Sequence, residues 1–229
     1  ILCFVPLFNL LGYEYCFVIT LWAAITGMFL GMTTPIYQRS LLASFLQAAL
    51  ASLLQLIPGL ILICLNALRI RNCDFIAGFE FFALLPIPTA LYGATLGLAA
   101  QRLFPQLSRV RKCGLATAIL IVPLLMVSWA LYWHPPIFVW DHLWGYFSGS
   151  IYDEGIQVDS SIVLFRSLTL ARILVILFAL SLWESRSSNL LKKAGIPLLL
   201  IASRGGVENY LGPKWGFGVA RDDLLEELS

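Results

Sequence analysis

The chain has 229 residues, of which 59% are Ala, Val, Ile, Leu, Met, Phe, Trp, Tyr or Cys and 12% are charged, with a mean hydropathy of +0.85. Soluble domains carry roughly a quarter charged residues, so there is too little polar surface here to cover a water-soluble fold, and the composition defines an integral membrane protein. A formal charge of +2 gives no footprint for a nucleic-acid partner, and five cysteines without a CxxC pair give neither a zinc site nor a disulfide framework.

A crossing needs about 20 mostly apolar residues, each span helical because an open strand edge in lipid leaves backbone groups unpaired. Ile1 to Leu11 has neither a basic n-region nor a small-residue cleavage site, and is not read as a signal peptide. The first span is predicted over Tyr13–Met32 and contains Gly27 and Gly31, whose spacing favours close helix packing. The second is predicted over Leu41–Leu65, with Pro58 and Gly59 inside it. A short turn, Arg69 to Asp74, leads to Gly78, Glu80, Phe81 and Phe82. Asn72 and Asp74 there have the chemistry to cap the next helix, with Glu80 near its positive end. The functional alternative makes Asp74 and Glu80 a cation or proton site at the membrane edge.

The third span is predicted over Phe79–Ala100, interrupted by Pro86 and Pro88 and carrying Gly93 and Gly97. The fourth is predicted over Gly114–Trp133 with Pro123. Proline inside a span removes a hydrogen bond and bends the axis, which is how transporters build sites from broken helices. Between the fourth and fifth spans lies an aromatic-rich loop holding His134, Trp140, Asp141, His142, Trp144, Asp153 and Glu154. Its tryptophans predict a re-entrant or interfacial segment. Its imidazoles and carboxylates have metal-ligand chemistry, but their spacing matches no ligand signature and HExxH is absent. The fifth span is predicted over Ile162–Trp183, with Arg166 shallow enough to snorkel outward or meet Asp153 or Glu154. Arg172 falls near mid-membrane and needs a buried carboxylate, with Glu80 the first choice and Glu14 the second. A sixth apolar run, Gly195–Ser203, is too short to span alone. Residues 204–229 read as a linker and the start of a further segment, and the chain reads as a piece of a longer protein.

Orientation follows from the Lys and Arg distribution. None lies between Lys112 and Arg166, where Asp141, Asp153, Glu154 and Asp159 fall, so that loop is expected to be extracytoplasmic. Alternation then puts Arg39, Arg102, Arg109, Arg111, Lys112, Arg186, Lys192 and Lys193 inside and only Arg69 and Arg71 outside.

Asn72-Cys-Asp74, Gly78, Phe81-Phe82, Leu85-Pro-Ile-Pro88, Gly93 and Gly97, with Gly145-Tyr-Phe-Ser-Gly149 and Tyr152-Asp-Glu154, resemble the N-terminal membrane region of bacterial polytopic proteins that carry a downstream peptidase MA-like (gluzincin) domain. Leu211-Gly-Pro-Lys-Trp-Gly-Phe217 and Asp222 to Leu228 are similar to the junction before that domain. The resemblance implies that any peptidase chemistry lies beyond Ser229.

The expected fold is therefore all-α: a polytopic integral membrane helical bundle of five spans plus a marginal sixth, with residues 1–203 in the membrane domain. The expected role is a bacterial inner-membrane anchor or permease-like component for a downstream domain. The alternative is a self-contained small-solute transporter. No catalytic signature and no cofactor site is read in the chain. The partners expected are the lipid bilayer and partner membrane subunits or a fused domain, with no nucleic acid. The candidate polar sites are Asp74, Glu80, Asp141, His142, Asp153, Glu154 and Arg172.

Overall fold

Two pairs of glycines, each four residues apart, decide how the first helices meet. A computed structural model describes residues 8–35, 40–70, 74–133, 139–147 and 158–184. In it α1 (Tyr13–Thr33) crosses α5 (Pro86–Leu103) with Gly27 and Gly31 facing Ala90 and Ala94, and Gly93 and Gly97 facing Ala24 and Met28. A Cβ added at Gly27 would meet the Ala90 carbonyl at 2.6 Å, and one at Gly97 would overlap the Met28 carbonyl. Backbone therefore lies directly on backbone, and the alanines beside the seam, Ala24, Ala90 and Ala94, are completely buried. The contacts advance in the same direction along both chains, so α1 and α5 are parallel.

The second predicted span is helical in two pieces, α2 (Leu41–Leu54) and α3 (Ile57–Asn66). Pro58 offers no N–H to the carbonyl of Leu54, where α2 stops. The Tyr15 hydroxyl donates to the Gly59 carbonyl at 2.7 Å, tying α1 to the first turn of α3. The third span divides in the same way into α4 (Phe75–Leu84) and α5, with Leu85 between them at φ −96°, ψ −73°. Pro86 and Pro88 give no N–H to the carbonyls of Phe82 and Leu84. In α6 (Arg109–Trp133) the helix continues through Pro123. The last described helix is α7 (Ser160–Glu184).

One end of the bundle gathers charge. The Arg102 guanidinium pairs with Glu184 at 2.6 Å and donates to Ser44 at 2.8 Å, tying α5, α7 and α2 together, while Lys112 donates to Gln101 at 2.6 Å. At the other end Asn66 donates to the Asn9 carbonyl at 2.6 Å, and Leu11, Tyr13, Phe81, Phe82 and Leu85 form an apolar core. The outer faces are apolar too: Leu42, Leu46, Leu50 and Leu54 recur every fourth residue along α2 and each is more than half exposed. A dry surface of this kind suits lipid rather than water.

Four helical segments are long and apolar enough to cross a membrane: Tyr13–Thr33, Leu41–Asn66, Phe75–Leu103 and Ser160–Glu184. The sequence predicts five such spans; among the described residues α6 is the one outside this set. The fold is also not purely helical. Val139–Asp141 (β1) and Gly145–Phe147 (β2) pair as an antiparallel hairpin. The short run Gly195–Ser203 and the 204–229 segment lie outside the described residues.

Candidate functional site

The hairpin is built by its turn. Asp141 Oδ1 accepts the N–H groups of Leu143 and Trp144, each at 2.8 Å, and Gly145 closes the loop at φ +95°, a left-handed conformation that side chains resist. Trp140 pairs with Tyr146 and Asp141 with Gly145. The described part of the segment predicted as re-entrant or interfacial is thus folded against the bundle: His142, Leu143 and Tyr146 are all buried. The Tyr13 hydroxyl donates to the Tyr146 carbonyl at 2.8 Å, fixing β2 to α1. Burial, with the Asp159 carboxylate adding to it, pushes the Tyr146 phenol up to about 12, so it is a neutral wall and not an acid.

Beneath the hairpin lies a polar cluster on α7. Ile162, Phe165, Arg166, Thr169 and Ile173 make the buried stripe of that helix, so Arg166 points inward. The His142 ring stacks on Phe165 with centroids 4.4 Å apart and planes 9° apart, and its Nδ1 shares a 2.7 Å hydrogen bond with Thr169 Oγ1. Tyr92 of α5 closes the other side, 6.0 Å from the imidazole centroid. Arg166 is only 2% exposed and Nη1 donates to the His142 carbonyl at 3.4 Å. Its Nε and Nη2 have no hydrogen-bond partner among the described residues. No ion pair joins it to Asp141. Of the two expectations for Arg166, outward snorkelling is overturned because the hairpin covers it, while a meeting with Asp153 or Glu154 falls on residues outside the described ones.

Among the other sequence candidates, Asp74 accepts the Ala77 N–H at 3.0 Å and caps α4, as the capping reading expects. Glu80 is exposed on the same helix. Arg172 lies elsewhere, lining an apolar cavity of about 320 Å³ between α5, α6 and α7 with Tyr92, Leu96, Phe104, Leu115 and Ile176. No ion pair joins Arg172 to Glu80 or Glu14. The expected partnership fails because Glu80 belongs to α4 near the hairpin end, whereas Arg172 lies further along the bundle. Asp141 and His142 are brought together with Arg166, but each is already engaged in hairpin or helix contacts. No group of three metal-ligating side chains occurs among the described residues. His134, Asp153 and Glu154 lie outside the described residues. Arg166, Thr169, Tyr92 and Thr89 are absent from the sequence candidates. The signal for two of them was the i, i+3, i+4, i+7, i+11 stripe of Ile162, Phe165, Arg166, Thr169 and Ile173, which carries Arg and Thr at apolar positions.

These features define a mostly helical chain with four membrane-length apolar helices and a buried polar cluster at a helix break. No protein-family model, curated protein or solved structure matches it.

Proposed function

We propose that this chain is a bacterial inner-membrane helical domain acting as a permease-like component, with five spans once α6 is counted as a crossing. The carrying observation is Arg166: a fully buried guanidinium, with two nitrogens that have no partner among the described residues, at the level where Pro86 and Pro88 break the third span. Ionisable groups at membrane depth are costly and mark solute or ion pathways, and broken helices are the usual scaffold for such sites. The Leu85 side chain between α4 and α5 and the Arg166 guanidinium both flank Gly145, which supports placing break and charge in one site. On the topology argued from the cation bias, the hairpin end is extracytoplasmic and the Arg102 end cytoplasmic.

A second reading, the membrane anchor of a downstream peptidase-like domain, rests on the resemblance of Asn72 to Glu154 and of the Leu211 to Leu228 junction. The two readings separate in reconstituted vesicles. A permease-like domain mediates saturable solute counterflow; an anchor mediates none.

A further inference from the structure

A guanidinium removed from water needs acceptors for five N–H groups. In Arg166 the Nη1 group donates to the His142 carbonyl, while Nε and Nη2, both sealed from solvent, reach no acceptor among the described residues. These two nitrogens lie side by side on one edge of the planar group. That edge is the one a carboxylate meets with two parallel hydrogen bonds. The nearby protein carboxylate, Asp141, acts on Arg166 through its charge without touching it: its Oδ1 holds the Leu143 and Trp144 N–H groups, and no ion pair joins it to the guanidinium. A second orphan stands one turn along α5 from Leu85: Thr89 is fully buried and its hydroxyl has no partner among the described residues.

We propose that the Nε/Nη2 edge of Arg166 is a binding site for a small monocarboxylate, with the Thr89 hydroxyl as the next donor the ligand meets. The Asp141 carboxylate already offsets part of the guanidinium's charge, so the site tolerates at most one further negative charge, and a dianion would bury still more without compensation. The described arrangement is occluded. A Cβ at Gly145 would come within 2.5 Å of Nη2, so the bare glycine lies against the guanidinium, and the hairpin shifts to admit the acid. The inference deepens the permease-like reading and rests on it for transport; binding alone does not depend on it.

The full chain in lipid nanodiscs is titrated with sodium acetate, sodium benzoate and inorganic phosphate at constant ionic strength, and tryptophan fluorescence is followed. Trp140, packed 4.5 Å from Tyr146 and 5.1 Å from Phe165 by ring centroids, reports hairpin movement. The expected result is a saturable change with a monocarboxylate, weaker with phosphate. Arg166→Lys keeps the charge but loses the fork, and lowers affinity by about tenfold to a hundredfold while melting like the parent. Should that variant fail to fold, Thr89→Val keeps the shape, removes one donor and carries the same test with a loss of about tenfold. The proposal is overturned by the absence of a saturable response to either carboxylate, by unchanged affinity in the folded variant, or by phosphate binding as tightly as the acids. Counterflow of the bound acid in vesicles separates the two claims. Binding without flux retires the permease reading and leaves the site, whereas flux indifferent to Arg166→Lys retires the site and leaves the permease.

Discussion

A single oxygen of Asp74, 3.0 Å from the Ala77 nitrogen, supplies the first turn of α4 with an acceptor that no residue inside the helix provides. Asp74→Ala should lower stability in detergent by about 0.5 to 2 kcal/mol and leave carboxylate binding per folded molecule unchanged. Loss of binding at an unaltered melting temperature would instead make Asp74 a site residue. Asp159 does similar work at the start of α7, where the Ser161 hydroxyl and then the Ser160 N–H hold its carboxyl below the usual carboxylate range. A depressed carboxylate stabilises the fold fully above its unfolded value of about 4, and that contribution is lost as pH falls through the lower folded value. Protection of the Ile162 and Val163 amides, whose N–H groups bond the Asp159 carbonyl, relative to their intrinsic exchange should therefore fall below about pH 4, and Asp159→Asn should remove that pH dependence. Arg172 and Glu80 stand apart, so Arg172→Ala and Glu80→Ala should add within about 0.3 to 0.5 kcal/mol. A larger coupling energy in that double-mutant cycle would restore the pair the structure does not form.

Where two helices touch through glycines, a single methyl is decisive. Gly97→Ala drives a Cβ into the Met28 carbonyl and should cost about 1 to 3 kcal/mol in a reversible unfolding assay. Gly114 on α6 is the internal control: a Cβ there meets nothing within 4 Å, and Gly114→Ala should be neutral or stabilising by about 0.4 to 1 kcal/mol. Equal losses in the two variants would mean that the glycine seam is not what holds α1 to α5. The four-residue spacing of Gly27, Gly31, Gly93 and Gly97 was legible in the sequence, and so were the apolar runs that became α1 and α7 to within two residues at either end. The prolines announced bends, but not that the second and third spans would each divide into two helices, since Pro123 sits in α6 without interrupting it. Two strands of three residues were hidden entirely. Such strands have no alternation to read, and their Trp and Tyr side chains look the same whether they meet headgroups or a helix. Arg166 was misjudged for a related reason: a charge near a span end snorkels unless something covers it, and the cover is a tertiary contact from residues more than twenty positions away.

Among the described helices, α1, α5 and α7 run in one direction, and α6, tied at its start to the end of α5 through Lys112 and Gln101, runs back. With the native cysteines replaced, Ser160→Cys should react with an impermeant maleimide from outside intact cells, and Gln106→Cys only after the membrane is opened. The reverse pattern would invert the topology and place the carboxylate site on the cytoplasmic side. The glycine seam has a consequence in time. Its two halves are separated in the chain by α2, α3 and α4, so α1 finishes some seventy residues before α5 does. At a synthesis rate of about 5 to 20 residues per second, roughly 4 to 14 s pass while the flat glycine face of α1 waits in the bilayer without its mate. During that interval the nascent chain depends on whatever else shields Gly27 and Gly31, be it lipid, the insertion machinery or the arriving α2.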